Sequence, residues 1–192
     1  QSKPSTDFCP LRVDWFARYS AVGQTVGAFH RKDSRGDDSE VLVSRLVDRS
    51  VRPMILPGWS HETQVLTHVL SYDKTHPLEA LSICASSAAL ALSGVPILKP
   101  FAAVAVGCIN GSFVVNPTKD QLSCPNTTLS LVLAGTKDDI LMIEGSAEFL
   151  PEKDLVQALA AGHTAIGQIC DAIQAFAAVA GRAKKSDGVV VP

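Results

Sequence analysis

Asparagine followed by glycine at positions 110–111 falls between two apolar runs, Phe101 to Ile109 and Ser112 to Val115. A two-residue hairpin turn of type I′ needs positive φ at both central residues, and Asn-Gly tolerates this best. The chain must therefore turn back on itself here as an antiparallel hairpin, which is incompatible with a wholly parallel, doubly wound sheet. Leu129 to Ala134 and Ile140 to Glu144 form a second pair, joined across Thr136 to Asp139. Upstream, Pro10 to Arg18 alternates as a half-buried strand does, and Thr63 to Tyr72, rich in Val and Leu, reads as another.

Helices fill the intervals. Asp37, Asp38 and Ser39 offer N-cap oxygens to a helix beginning near Glu40. It ends by Pro53, because a residue before proline avoids helical geometry. Pro77 opens a second helix over Leu78 to Leu92, full of Ala and Ser and apolar nearly all round, hence central. A long third helix spans Glu152 to Ala180, with Gly162 and Gly167 as weak points. Ser20 to Asp38, with three glycines and a burst of charge, reads as a long loop. The expectation is an α+β domain over residues 1–181, followed by a polar linker over 182–192.

Apolar residues make up 46% of the chain, enough for one buried core, and no apolar run is long enough to cross a bilayer. A net charge of −2 argues against wholesale nucleic-acid binding and directs attention to local patches. The five cysteines contain no CxxC pair, so zinc ligation lacks its usual spacing. Asn110 and Asn126 head Asn-x-Ser/Thr triplets, a pattern short enough to arise by chance.

One loop stands out chemically. Phe29, His30, Arg31, Lys32 and Arg35 place rings beside fixed cations in a glycine-flanked segment. Cations attract phosphates and rings stack on bases, the usual equipment for gripping single-stranded nucleic acid. The competing reading is a solvated loop whose charges pair with Asp33, Asp37 and Asp38. Arg45, Arg49 and Arg52 follow at i, i+4, i+7 as one helical stripe, for RNA or for structural ion pairs at an interface. Asp48 is placed to pair with Arg45 or Arg52, while Leu42, Val43, Leu46 and Val47 are expected to bury. Asp138, Asp139 and Glu144 suggest an acidic hairpin turn sooner than a metal site. His68 and His163 read as packing residues.

The segment from Gly27 to Arg35, followed by Leu46 to Pro53, resembles the first RNase PH-like core of polynucleotide phosphorylases. Glu62 to Val65, Ala85 to Leu90, Leu92 to Pro96, Phe113 to Thr118 and Ala134 to Thr136 continue the likeness in the same order. It runs from about Asp7 to about Gly181, and Val69 to Asp73 with Phe149 to Glu152 are similar to plant and algal plastid members. His30 and Lys32 depart from the family's second Phe and second Arg, and Lys cannot reproduce arginine's planar fork.

The resemblance implies an RNase PH-like α+β core (ribosomal protein S5 domain 2-like), a mixed sheet with packed helices, lacking its first strands. It implies phosphorolysis of RNA from the 3′ end, with Mg2+ and inorganic phosphate serving the whole enzyme and none expected bound to this core. The implied partners are single-stranded RNA, a second RNase PH-like core and two further copies in a homotrimeric ring, in an organelle, chloroplast before mitochondrion, with no membrane. Aligned through the flanking motifs, the family's serine-rich phosphate site falls at Pro77, Leu78 and Glu79, and its Asp-x-Asp-x-Lys pattern at Thr128, Ser130 and Val132. No catalytic residue and no metal ligand is therefore expected in this core. The alternatives are a segment of an exoribonuclease whose chemistry lies in the second core, and a stand-alone non-catalytic RNA-binding or assembly protein. A small α+β metabolic enzyme would leave the ordered motifs to coincidence.

Overall fold

The structure is a computed structural model, and it describes residues 9–25 and 38–189. The loop residues Phe29 to Arg35 therefore lie outside the described residues. Strand β1 (Leu11–Ala17) pairs in parallel with β2 (Thr63–Val69), and helix α1 (Asp38–Val51) lies between them in the chain. Helix α2 (Glu79–Leu92) follows, then β3 (Ala102–Ile109), β4 (Ser112–Val115), a single-turn helix α3 (Lys119–Leu122), β5 (Thr127–Gly135), β6 (Ile140–Ala147) and α4 (Glu152–Ala180). The second sheet is antiparallel throughout, in the order β4-β3-β5-β6. Parallel and antiparallel pairings thus both occur, in two sheets, and the α+β expectation holds.

The hairpin turn is of the expected kind: Asn110 has φ 50° and Gly111 φ 76°. Alternation along β3 and β5 then divides the core in two. Val104, Val106, Leu129, Leu131 and Leu133 face α4, whereas Phe101, Ala103 and Ala134 face α1 and α2. Gly162 lets α4 approach this sheet, since a Cβ there would meet Leu133 and Val106 at 2.9 Å.

Helix α2 is central, as its small side chains require, and its buried serines are all engaged. Ser82 Oγ donates to Leu78 O at 2.7 Å and accepts from Trp15 Nε1 at 2.8 Å. Ser87 Oγ accepts the Phe101 amide at 3.1 Å. The helix is not buried all round: Leu81, 65% exposed, Ala85 and Ala89 form one exposed stripe four residues apart.

The free edge of β1 is closed by α1. Ser44 Oγ accepts the Trp15 amide at 3.0 Å and Glu40 Oε1 accepts the Ala17 amide at 2.9 Å. Arg52, on the turn that follows α1, donates to Cys9 O at 3.1 Å and Leu11 O at 3.3 Å. A strand edge left open would invite pairing with another chain; here side chains four residues apart on one helix face take up its polar groups.

After α4 the chain returns over the domain. Lys184 Nζ donates to Leu90 O, Ala91 O and Ser93 O at 2.8–2.9 Å, closing the carbonyl end of α2. Desolvation pulls its amine below the ordinary lysine value. The Ser60 amide and hydroxyl both donate to Gly188 O, at 2.8 and 2.9 Å. His61 Nε2 lies 2.7 Å from Asp187 O, and Trp59 bridges to Val189.

Candidate functional site

Helix α1, the first turn of α2 and strand β6 enclose a groove of about 360 Å3, lined in part by Leu42, Arg45, Arg49, Glu79 and Glu144. Each element delivers its side chain for a local reason. The 3.6-residue period of α1 puts Arg45 and Arg49 on one flank while Val43 and Val47 bury on the other. Antiparallel pairing sets Glu144 directly opposite Val132 and Ser146 opposite Ser130, so these side chains share the face turned toward α1. Arg49 Nη1 meets Glu144 Oε2 at 2.6 Å, both about half exposed. Glu79 buries one carboxylate oxygen, Oε2, that no described group hydrogen-bonds.

Of the positions aligned to the family's phosphate and metal residues, Glu79 lines this groove, whereas Pro77 and Leu78 do not. Ser130 and Val132 sit on β5 opposite Ser146 and Glu144, and Glu144 makes the ion pair across to α1. Magnesium needs several oxygen donors around one point. Glu144 is held by Arg49, Thr128 and Ser130 carry no charge, and no group of three His, Cys, Asp or Glu gathers among the described residues. The residues present do not fit a divalent cation.

The arginine stripe divides by role. Arg52 is structural: besides the β1 carbonyls it forks onto Asp48, Nη2–Oδ1 2.7 Å and Nε–Oδ2 3.0 Å, and this bond raises its pKa further. Asp48 therefore serves Arg52 and not Arg45. Arg49 holds Glu144, and Arg45 is exposed with no ion-pair partner among the described residues. Leu42, expected to bury, is 59% exposed at the mouth of the groove, because its angular position falls beyond the flank that Val43 and Val47 seal.

Past α2's first turn lies a second hollow, of about 640 Å3, lined by Tyr72, His76, Leu78, Leu81, Cys84 and Ile169 among others. The start of α2 divides the two: Glu79 faces the groove, whereas Leu78 and Leu81 face the larger hollow. Nothing in the sequence marked this hollow, since its walls come from distant segments.

The other acids behave as turn residues. Asp138 is bound by Lys99 Nζ at 2.7 Å, which holds its carboxyl below the ordinary value, and Thr136 Oγ1 accepts the amides of Asp138 and Asp139. His163 is half-buried with Nε2 3.2 Å from Thr136 O, consistent with packing. His68 is not a packing residue. It is exposed, with its ring stacked on Phe16 at 4.8 Å and 19° between planes. Period-two alternation in β2, which sends Gln64, Leu66 and His68 outward, was the signal for it.

Residues 1–96 match domain 1 of the 3′ exoribonuclease family (RNase PH), and residues 99–165 match its domain 2. The chain belongs to the 3′ exoribonuclease family. The crystal structure of rice (Oryza sativa) Rrp46 superposes with a TM-score of 0.68 at 17% identity, covering 88% of this chain and 73% of that one, a likeness of fold. A polyribonucleotide nucleotidyltransferase of Protochlamydia amoebophila is 43% identical over 95% of this chain. One of Chlamydia trachomatis is 45% identical over 97%, as is the rice protein described as "probable polyribonucleotide nucleotidyltransferase 1, chloroplastic". This 3′ exoribonuclease-family chain spans 26% of the length of the two chlamydial proteins and 20% of the rice protein. Chlamydial and plastid relatives are about equally similar, so the likeness to plastid wording does not by itself separate the two groups.

Proposed function

We propose that the chain is a segment of a polyribonucleotide nucleotidyltransferase, a phosphorolytic 3′–5′ exoribonuclease of RNA degradation and processing. In this reading it guides single-stranded RNA and supports ring assembly, while a second RNase PH-like core carries out the chemistry with Mg2+ and phosphate. The observation that carries it is identity of 43–45% over at least 95% of the chain to proteins of that name. The groove is in keeping with the division of labour, because a buried carboxylate at Glu79 opposes a phosphate nucleophile. Phe29, His30, Arg31, Lys32 and Arg35 are the RNA contacts of this proposal, with Arg45 and Arg49 beside them. An exposed ion pair such as Arg49–Glu144 is worth at most about 1 kcal/mol, so an RNA phosphate can compete for Arg49 at little cost. The home of the protein in this reading is an organelle, the chloroplast.

Release of labelled nucleoside diphosphate from poly(A), with phosphate and magnesium present, tests the assignment. The chain alone is expected to release none, and to support release once joined to a second core. Robust phosphate-dependent release by the chain alone would overturn the vacancy of the groove. RNA binding with no release even beside a second core would instead favour a stand-alone RNA-binding or assembly protein, the reading to which the Arg49–Glu144 pair in the groove also lends itself. Arg31→Ala with Lys32→Ala is expected to weaken binding to many RNA sequences alike and to flatten its salt dependence.

A further inference from the structure

The outward face of the β1–β2 sheet carries a ring pair and a cation, Arg18, that the loop and the groove do not use, and it lies beside Arg45 of the groove. Parallel register sets Phe16 directly beside His68, and their rings stack at 4.8 Å. The Arg18 guanidinium lies over the Phe16 ring, 5.3 Å from its centroid. On the other side, Phe16 and Arg45 line one hollow of about 400 Å3.

The charges around these rings are unbalanced. Asp14 is bound by Arg12 at 2.7 Å and by Gln64 at 3.1 Å, and Asp48 is forked by Arg52. Glu40 accepts the Ala17 amide. Each carboxylate is thus engaged, whereas Arg18 and Arg45 have no ion-pair partner among the described residues. A half-exposed ring pair, with His68 exposed to solvent, flanked by two guanidinia that make no ion pair among the described residues, presents an aromatic surface and positive charge together. Single-stranded RNA matches both, bases on rings and phosphates on arginines. A protein partner would match the rings but needs an acidic surface to satisfy the arginines. The Ala17 amide at the end of β1 donates to Glu40 at the start of α1, which brings that end of α1 beside the sheet.

We infer that the outward face of β1–β2 is a second contact for single-stranded RNA, with His68 and Phe16 stacking a base and Arg18 and Arg45 holding its flanking phosphates. The inference rests on the RNA-guiding reading above and extends it to a surface outside the loop.

Affinity of the 192-residue chain for a uridine oligomer and for an abasic oligomer of equal length tests it. The base-bearing strand is expected to bind roughly tenfold tighter, the scale of one base stacked on an aromatic ring. His68→Ala and His68→Gln are each expected to remove most of that preference, and Arg18→Gln to weaken both strands alike. His68 is exposed, so neither His68 variant removes core packing, and an unchanged thermal melt checks the fold. A preference for bases that survives both His68 variants overturns the platform. If Arg31→Ala with Lys32→Ala then loses binding, the RNA-guiding reading survives without the platform. No binding of either oligomer by the unaltered chain overturns both.

Discussion

Arg52 joins two segments that are distant in sequence: its own helix turn through Asp48, and the strand edge through Cys9 and Leu11. Replacing it by alanine strands two carbonyls and a carboxylate, with a loss of about 2 kcal/mol or more expected in urea unfolding. Ser44→Ala, which orphans only the Trp15 amide, should cost about 1 kcal/mol. The thiols separate just as clearly. Burial pushes Cys170 up to about 11 and raises Cys84 as well, so both stay protonated at neutral pH, while Cys108 is buried and Cys124 exposed. Iodoacetamide at pH 7.5 is expected to modify Cys124 first and to reach Cys170 only on unfolding, read by peptide mass mapping. The arginines themselves were legible from their spacing, but their partners were not. Glu144 is 95 positions from Arg49, and no local pattern announces so distant an ion pair.

Among the elements, helix α4 offers a contrast between two glycines five positions apart. Gly162 sits against Val106 and Leu133 with no room for a methyl group, whereas Gly167 has only Lys137 Cγ nearby, at 3.9 Å. Gly162→Ala should therefore destabilise by about 1–3 kcal/mol through overpacking. Gly167→Ala should stabilise by up to about 1 kcal/mol by restoring helix propensity. Thermal melts of the two variants moving in the same direction would contradict this account. Periodicity located the strands and long helices to within a few residues, because an amphipathic pattern sustained over two turns has few alternatives. It treated both glycines as weak points, since helix propensity sees the backbone and not the neighbouring sheet. Helix α1 starts at Asp38, two residues before the expected Glu40, so Asp38 and Ser39 belong to its first turn; Asp37 is outside the described residues. The single turn α3 was missed although Thr118 and Gln121 form a capping box, with the Gln121 amide donating to Thr118 Oγ1 at 3.2 Å. Four residues are too few to show an apolar period, and only the Thr-x-x-Gln spacing signals such a helix.

At the scale of the molecule, the antiparallel sheet lies between α4 and a layer of α1 and α2 with the β1–β2 pair, and a returning tail ties them into one unit. Residues 182–189, polar enough to be expected as linker, are held at α2 through Lys184 and at β2's approach through Ser60 and His61. Composition could not show this, because the acceptors are backbone carbonyls, which no side-chain pattern encodes. Lys184→Met is expected to lower stability by about 1–2 kcal/mol, since it leaves the Leu90, Ala91 and Ser93 carbonyls without their shared donor. It should also open cleavage by trypsin at Arg182 and Lys185, timed on gels; unchanged cleavage would mean that the tail is held elsewhere. The same tail determines how the domain carries load. A pull applied near Val189 does not first peel α4 from its sheet. It strains the bonds from Ser60 to Gly188 and the bridge from Trp59 to Val189, close to the point where β2 begins. Tension entering there is passed along β2 to β1, and from β1 through Ser44 and Glu40 into α1, so the parallel pair and its covering helix resist as a single mechanical element.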